Sequence, residues 1–279
     1  MLRIALGLTA SLALSSPAFA QQAAPLPSPE EAGSGFTVAL GVGTRPDYVG
    51  SDDYRIIPAG GFRGRVGPVT LSTRSTYVYA DFFPRTAASV DFDVGPIIGA
   101  NFNRSTKIDD DVVDLLPERD TAIEVGAFAG ISLHDITNPY DTLSFRLDAK
   151  RDIAGAHKST VISPNVEFST PLSRFTYVSA SAGLDFVSGK YARYYFGITP
   201  AESLLTGLPV YTPDGGMEKW RIGVLVNQSV TGDLTHGISL WGTAEYSQLT
   251  GDIKDSPIVD IRGDASQWLL AAGLAYTWR

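Results

Sequence analysis

The sequence predicts an all-β protein, a transmembrane antiparallel up-and-down β-barrel of about twelve strands, with ten strands as the alternative. A soluble β-sandwich shows the same alternation of apolar and polar residues along each strand, so three further observations decide between the two. The chain carries a secretory signal peptide, its strands have many glycines on their polar face, and its connections alternate between short and long. Together these observations favour the barrel.

The N-terminal segment has the three parts of a secretory signal peptide. Arg3 supplies a positive start, a short apolar stretch follows, and Ala18-Phe19-Ala20 has the A-x-A form of a cleavage site. The apolar stretch is shorter than the ~20 residues that a membrane-spanning helix needs. We expect residues 1–20 to be removed, residues 21–34 to form a disordered periplasmic lead-in, and residues 35–279 to form the barrel.

Composition narrows the classes of function. The chain has no cysteine, which excludes thiol catalysis and thiolate metal sites. Its formal net charge is -8, so no basic field is available to attract nucleic-acid phosphates. We therefore expect no nucleic-acid partner.

The predicted strands alternate between an apolar face and a polar or small face. The last strand, Trp268–Arg279, shows this most clearly, because every second residue from Trp268 to Trp278 is apolar and both ends of that face are aromatic. Such a face suits lipid, with aromatics at the two head-group levels. The alternation is found in 36–43, 55–63, 90–102, 123–132, 143–150, 162–168, 176–186, 219–227, 238–247 and 268–279.

The connections fix the strand count, because bacterial barrels have short periplasmic turns and longer outer loops. Short connections are expected near 64–67, 133–140, 170–173 and 230–235, and long ones at 104–120, 188–216 and 250–266. Two periplasmic termini require an even number of strands, and about eleven are obvious. Residues 68–83 supply one more by splitting into 69–73 and 76–83 around Arg74-Ser75, although both are shorter than the usual ~9–11 residues.

Three separated motifs carry a family resemblance. The first is Gly50-Ser51-Asp52-Asp53-Tyr54-Arg55. The second runs from Tyr195 through Gly207 to Gly216, and the third is Asp255-Ser256-Pro257-Ile258-Val259. In this order they resemble the MipA/OmpV family (MltA-interacting protein) of outer-membrane proteins, over the whole mature chain. Family members usually end on an aromatic residue, whereas Arg279 follows Trp278 here.

The resemblance implies a location in the cell outer membrane. It also implies a scaffold that links a murein lytic transglycosylase to a murein synthase, and it brings no catalytic residue set. Outer-membrane lipid and lipopolysaccharide are the other expected partners. Adhesion and antibiotic response are connected with other members of the family.

The three histidines are the candidates for general-base chemistry. His134 and His236 fall at predicted periplasmic turns and His157 at an outer loop, with none expected on an inward-facing strand position. A serine near His157 would be needed for a hydrolase, and no fixed motif supplies one. We favour solvated turn histidines, no enzyme activity and no cofactor.

An acidic cluster in the long connection 104–120 is the best candidate for a metal site. Its members are Asp109, Asp110, Asp111 and Asp114, without the spacing of an EF-hand loop. The favoured interpretation is a solvated acidic loop and no metal site. Divalent cations that bridge to lipopolysaccharide are the alternative.

Charged residues on the inward faces predict the nature of the lumen. Their signs nearly balance, which favours ion pairs that fill the interior over a selective channel, because a selective channel favours one sign. A polar pore is the alternative. The residues of this predicted lumen charge network are Arg55, Arg63, Asp91, Asp93, Glu124, Arg146, Asp148, Lys150, Glu167, Asp185, Lys219, Arg221 and Glu245.

One outer loop contains the start and stop signals of a short helix. Thr199-Pro200-Ala201-Glu202 has the form of a capping box with proline at the first helical position, and Gly207 can end the helix. The nearby aromatics are Tyr191, Tyr194, Tyr195 and Phe196. We expect them in the interfacial girdle, with the lining of a ligand cleft as the alternative.

The sequence therefore favours a non-enzymatic outer-membrane barrel that acts as a scaffold for murein-synthesising and murein-hydrolysing proteins. The alternative is a small-solute channel, or a ligand-binding or adhesive barrel.

Overall fold

The computed structural model describes residues 35–83 and 88–278. The expected signal peptide, the expected lead-in and Arg279 lie outside the described residues. Within the described part of the chain, no helix has both the length and the apolar character needed to cross a membrane.

Twelve antiparallel strands form a closed barrel in which each strand pairs with its neighbours in the chain. The prediction of twelve strands is confirmed, and the alternative of ten is wrong. The strands are β1 (Phe36–Pro46), β2 (Tyr54–Val66), β3 (Val69–Arg74), β4 (Tyr77–Asp81), β5 (Val90–Asn101), β6 (Ala122–His134), β7 (Thr142–Asp152), β8 (Thr160–Pro171), β9 (Thr176–Val187), β10 (Gly216–Ser229), β11 (Gly237–Leu249) and β12 (Ser266–Trp278).

The barrel closes where β12 pairs with β1. The register runs from Phe36 opposite Trp278 to Thr44 opposite Leu270, and Gly41 lies opposite Gly273. A Cβ atom on Gly273 would collide with the backbone carbonyl of the facing strand. The two strands can approach this closely only because glycine has no side chain.

The hairpin of β3 and β4 is much shorter than the strands beside it. β3 has 6 residues and β4 has 5, whereas β2 has 13. β2 pairs with β3 only from Arg63 to Val66. Among the described strands, the outer half of β2, residues 54–61, pairs with β1 on one side and with none on the other. The predicted split around Arg74-Ser75 is confirmed.

The outer surface of the barrel is apolar, with an aromatic belt near each end. At one end Trp278 packs on Phe36 and on Tyr276. At the other end Tyr246 packs between Trp220 and Trp268. Between the belts, Leu40 and Ile56 are 71% and 80% exposed. Apolar side chains between two aromatic girdles are the pattern of a barrel in lipid.

The connections differ in length between the two ends of the barrel. The turns at the end that carries the described termini are residues 67–68, 135–141, 172–175 and 230–236, together with the described residues 82–83 and 88–89 between β4 and β5. The opposite end has 47–53, 75–76, 102–121, 153–159, 188–215 and 250–265. The predicted long loops are confirmed. They contain a 3₁₀ turn (Val113–Leu115) and the helices α1 (Gly189–Phe196), α2 (Pro200–Thr206), α3 (Gly251–Lys254) and α4 (Pro257–Asp260).

Candidate functional site

Four outer loops fold together into a lid, which we define as residues 47–53, 102–121, 188–215 and 250–265. They share one buried hydrophobic core with the outer ends of three strands. The loops leave the barrel at well-separated strands, so their common core must lie across the mouth. Its members are Tyr48, Ile108, Val113, Leu116, Val161, Val187, Tyr191, Ala192, Tyr195, Phe196, Ile198, Leu208, Leu249, Ile253, Ile258 and Val259.

The three family motifs meet inside this lid. The hydroxyl of Tyr48, next to the first motif, donates to the Ile258 carbonyl of the third at 2.8 Å. The Ser256 hydroxyl of the third donates to the Phe196 carbonyl of the second at 2.7 Å. Burial raises the pKa of Tyr48, which keeps its hydroxyl protonated as a donor. The three motifs are far apart in the sequence, and these hydrogen bonds join them within the lid.

The first motif forms a tight turn against the third. Gly50 has a φ of 104°, and a Cβ atom there would lie 2.5 Å from the Val259 side chain. The backbone N–H of Asp53 donates to the hydroxyl of Ser51 at 3.1 Å. Asp52 is exposed. These residues shape the turn, and only glycine fits at its tightest point.

The ends of two motifs attach to neighbouring elements. The hydroxyl of Tyr54 accepts from the backbone N–H of Trp268 at 3.0 Å. Asp255 is the C-terminal capping residue of α3, and the buried Pro257 is the first residue of α4. Asp255 is exposed, and its carboxylate lies 3.9 Å from the Lys254 ammonium.

The outer-loop helix α2 has both hydrogen bonds of a capping box. The N–H of Thr199 donates to the Glu202 carboxylate at 2.8 Å, and the N–H of Glu202 donates to the Thr199 hydroxyl at 3.3 Å. Pro200 begins the helix, and Gly207 ends it with a φ of 73°. The Glu202 carboxylate also pairs with Arg119 at 3.2 Å, which ties α2 to loop 102–121.

Ion pairs and a buried arginine join the lid loops. Arg262 pairs with Asp110 at 2.6 Å. Burial alone raises the pKa of Asp110, but hydrogen bonds from Arg262 and from two backbone amides outweigh it and hold that pKa low. Arg104 is 2% exposed and donates to the Tyr195 carbonyl at 2.8 Å. Burial, with Arg119 nearby, lowers the pKa of Arg104 to about 10.

The acidic cluster of loop 102–121 does not converge on one point. Asp110 is occupied by Arg262, and the Asp114 carboxylate accepts from the N–H of Ile108 at 3.0 Å. Asp109 and Asp111 are exposed. Among the described residues, no group of three or more His, Asp or Glu side chains could hold a metal ion.

Beneath the lid the lumen contains a charged cavity of about 370 Å³. Its lining includes six basic and six acidic side chains, so neither sign dominates. They are Arg45, Arg74, Arg146, Lys150, Lys219 and Arg221, with Glu124, Asp148, Glu167, Asp185, Glu218 and Glu245. A second cavity of about 150 Å³ adjoins it and shares Arg45, Lys219 and Glu245 in its lining.

Asp185 is the centre of one group of these charges. It accepts from Arg221 at 2.8 Å and lies 3.9 Å from the Lys219 ammonium. Glu245 lies 3.8 Å from Arg221 on its other side. The hydroxyl of Ser163 completes the shell of Asp185 at 2.5 Å.

A second group joins opposite walls of the barrel. Arg146 pairs with Asp148 at 2.8 Å, and Asp148 also accepts from the Tyr79 hydroxyl at 3.0 Å. Arg74, beside the β3–β4 turn, reaches Glu167 on β8 at 2.9 Å. These contacts tie the short hairpin to distant strands.

The remaining members of the predicted network lie apart. Arg55 sits at the outer rim, where it pairs with Asp47. Asp93 accepts from the Ser132 hydroxyl at 2.6 Å, and the Lys150 ammonium lies 4.0 Å from the centre of the Tyr77 ring. Arg63 is exposed. The thirteen residues therefore form separate groups rather than one chain of contacts.

Two of the three histidines are buried, so the expectation of solvated turn histidines is wrong for them. His134 lies within β6, 9% exposed, with Nε2 3.1 Å from the Asp91 carboxylate. His157 is 3% exposed, with Nε2 3.0 Å from Glu124. The side chain of His236 is 52% exposed, as expected. The alternation along one strand could not predict these partners, because His134 contacts Asp91 on another strand and His157 in a loop contacts Glu124 on a strand.

A serine hydroxyl and a carboxylate flank the imidazole of His157, as in a hydrolase triad, but the serine is buried. The Ser159 hydroxyl lies 3.0 Å from its Nδ1, and Glu124 occupies Nε2. However, Ser159 is 4% exposed, and the rings of Tyr191 and Tyr195 pack against the imidazole. Neither Ser159 nor His157 lines the two cavities described below the lid.

The aromatics of loop 188–215 form lid core rather than the interfacial girdle we expected. Tyr191, Tyr195 and Phe196 are 4%, 0% and 0% exposed. The Tyr191 hydroxyl reaches the Glu218 carboxylate at 3.2 Å. Tyr194 packs edge-on to Tyr195, and its hydroxyl accepts from the N–H of Asp120 at 2.9 Å.

Sequence reasoning missed several residues that line the cavity. Glu218 could not be predicted from alternation, because a β-bulge between Met217 and Lys219 turns both Glu218 and Lys219 towards the lumen. The bulge breaks the two-residue period of the strand. The sequence pattern places Arg74 in a turn, where no inward direction is predicted. Arg45 continues the small inward face of Gly41 and Gly43, and that continuation is a usable sequence signal.

Comparisons with known proteins agree with this architecture. The profile of the family described as MltA-interacting protein MipA matches residues 38–278. The chain is 32% identical over 158 residues to a 24 kDa outer membrane protein of Pasteurella multocida (strain Pm70), covering 56% of this chain and 57% of that protein. It is 29% identical over 101 residues to the MltA-interacting protein of Escherichia coli (strain K12), covering 36% and 37%.

The chain thus matches about half or less of the length of these relatives. A solved NanC porin structure aligns over 86% of this chain and 98% of its own, with 11% identity and a TM-score of 0.49. A likeness of that size assigns no transport activity. The barrel architecture, the lipid-facing surface and the match over nearly all the described residues lead to one conclusion: this outer-membrane barrel belongs to the MltA-interacting protein MipA family.

Proposed function

We propose that this barrel is a non-enzymatic scaffold that holds murein-processing proteins, a lytic transglycosylase and a murein synthase, at its periplasmic end. The observation that carries the proposal is the lid. The hydrophobic core of the lid lies across the outer mouth and obstructs the passage of a solute. This arrangement favours a role in which the opposite end of the barrel binds a protein partner. The name of one relative, MltA-interacting protein, supports a transglycosylase as the partner class.

The charge groups of the lumen support the same proposal. Six basic and six acidic side chains line the larger cavity, whereas an ion-selective pore favours one sign. We infer that these pairs brace the walls. Arg74 and Glu167, for example, tie the short hairpin to β8. A braced barrel keeps its periplasmic turns at fixed positions for a partner.

The periplasmic turns are themselves held by hydrogen bonds. Turn 135–141 folds around the buried carboxylate of Asp141. The N–H of Leu234 donates to the Arg174 carbonyl at 3.0 Å, which joins turns 172–175 and 230–236. An ordered surface binds a partner at a lower entropic cost than mobile loops do.

The test is a binding measurement with the purified barrel in phospholipid nanodiscs and the soluble part of a lytic transglycosylase. We expect specific binding that Ile136→Asp, in an exposed position of turn 135–141, weakens by about tenfold, the scale of one well-placed apolar contact. The matched control is Leu204→Asp on the outer helix α2, where the side chain is 89% exposed. Binding that is absent, or equally sensitive to both variants, would contradict the proposal.

A second candidate function is a ligand-binding barrel or a small-solute channel, and the 370 Å³ cavity is the observation in its favour. Planar-bilayer recording discriminates between the two functions. The scaffold predicts no steady conductance from the intact protein. Stable unitary currents would favour the channel and remove the main support for the scaffold.

A further inference from the structure

The barrel wall has a window near its outer end. One side is the outer half of β2, residues 54–61, which pairs with β1 but not with β3. The lower edge is the β3–β4 turn at Ser75-Thr76. The upper edge is loop 102–121, where Thr106 and the Lys107 carbonyl accept hydrogen bonds from Arg55 at 2.8 Å each. The window therefore lies between strands near the outer aromatic belt, because Tyr54 on this half of β2 accepts a hydrogen bond from the backbone of Trp268.

The window leads to the charged cavity. Ser75, Thr76 and Phe102 belong to its edge and also line the 370 Å³ cavity. Ile56, on the lipid-facing side of β2, is 80% exposed. A lipid can thus keep its chains against the wall while its polar head enters the lumen.

Arg45 is the feature of this cavity that lacks an explanation within the chain. It lies opposite Arg55 in the β1–β2 register, so two arginines share one face. Asp47 neutralises Arg55. Among the described residues, none forms a hydrogen bond or an ion pair with the guanidinium group of Arg45, and its Nε atom is buried. Like charges that face each other across neighbouring strands repel, and a buried charge without a partner is costly. A bound anion would therefore stabilise the guanidinium group of Arg45.

A second unpaired donor lies beside it. The amide nitrogen of Asn103 is buried without a partner, and Asn103 lines the 150 Å³ cavity together with Arg45. The acidic groups there are already engaged, since Asp47 pairs with Arg55 and Glu245 faces Arg221. Arg45 lines both cavities, so it stands where they join.

We propose that Arg45 and Asn103 bind a phosphate group, and that a phosphorylated glycolipid of the outer leaflet carries this group in sideways through the window. Arginine donates in a fixed fork that suits phosphate oxygens, and an amide donor adds direction. The site is independent of the periplasmic scaffold role, because it lies at the opposite end of the barrel.

The first test measures phosphate binding itself. Delipidated barrel in detergent is titrated with inorganic phosphate and followed by calorimetry. We expect Arg45→Gln to weaken binding by about tenfold or more, and Arg45→Lys to weaken it less. The matched control is Arg65→Gln. Arg65 also has a buried, unpaired Nε but lines neither cavity. Equal binding by the wild type and Arg45→Gln overturns the site.

The second test identifies the source of the phosphate. Native mass spectrometry of barrel released gently from outer membranes measures the fraction that carries one glycolipid. We expect Arg45→Gln and Thr76→Trp, which narrows the window, to lower that fraction, and Arg65→Gln to leave it unchanged. If both variants retain the wild-type glycolipid fraction while inorganic phosphate still requires Arg45, the lateral route is wrong and free phosphate is the ligand. Normal heat-modifiability on gels confirms that each variant folds.

Discussion

Replacement of Asp141 by asparagine should loosen turn 135–141 without opening the barrel. Asp141 is 0% exposed and lies at the centre of the turn. One carboxylate oxygen accepts from the N–H of Ile136 at 2.7 Å. The other accepts from the N–H and hydroxyl of Thr137 at 2.8 and 2.5 Å, and from the N–H of Asn138 at 3.2 Å.

Asparagine keeps one oxygen, which can still serve Thr137 and Asn138. Its NH₂ group then faces the N–H of Ile136, so one buried donor loses its acceptor and the other hydrogen bonds lose their charge. Loss of a hydrogen bond to a charged group costs about 1.5–3 kcal/mol, so we expect the free energy of opening the turn to fall by about 2 kcal/mol. That change corresponds to about thirtyfold in the opening equilibrium.

Hydrogen exchange read by mass spectrometry checks this, because it reports the opening of the turn peptide separately from the strands. The control is Asp135→Asn, which removes the same charge from an exposed position of the same turn. We expect faster exchange at residues 136–138 only in Asp141→Asn. Unchanged exchange, or equal effects of both variants, would refute the reasoning about the buried carboxylate.

The same carboxylate predicts a dependence on pH. Burial alone raises the pKa of Asp141, but hydrogen bonds from Thr137 and from backbone amides outweigh it and hold that pKa below its ordinary value. Its stabilisation is therefore fully present above the unfolded pKa of about 3.9, and it is lost as the pH falls through the lower folded value. Wild-type protection of the turn should fall below about pH 4, once corrected for intrinsic exchange rates, whereas Asp141→Asn should show little change.

Two further predictions concern closure and the lid. Gly273→Ala puts a Cβ atom against the Leu40 carbonyl and should lower the free energy of unfolding in vesicles by about 1–3 kcal/mol. The control is Gly242→Ala, whose Cβ atom would meet its nearest atom at 3.9 Å. Equal destabilisation by the two substitutions would contradict the role of the close strand approach at Gly273. Arg262→Gln removes the partner of Asp110 and should speed protease cleavage of loop 102–121 on intact cells. In the wild type, acid should have the same effect as the pH falls through the lowered pKa of Asp110, and cleavage that is insensitive to both would count against the pair.

The sequence by itself determined the barrel and most of its strands. Alternation has a period of two wherever one face meets lipid and the other meets the lumen, so β12 and its aromatic ends could be read directly. Parity required one more strand, which correctly split β3 from β4 at Arg74-Ser75. The capping box at Thr199 is also a local signal, because its donors and acceptors lie within four residues.

Only the tertiary structure decided which inward charges meet and what the outer loops build. Arg74 reaches Glu167 across the lumen, and His157 reaches Glu124, through contacts between residues far apart in the chain. The bulge at Met217 reversed the period locally and brought Glu218 into the cavity. Tyr195 became lid core because loops from separate strands converge over the mouth. Alternation specifies which face a side chain occupies, whereas its partner depends on the curvature and stagger of the closed barrel.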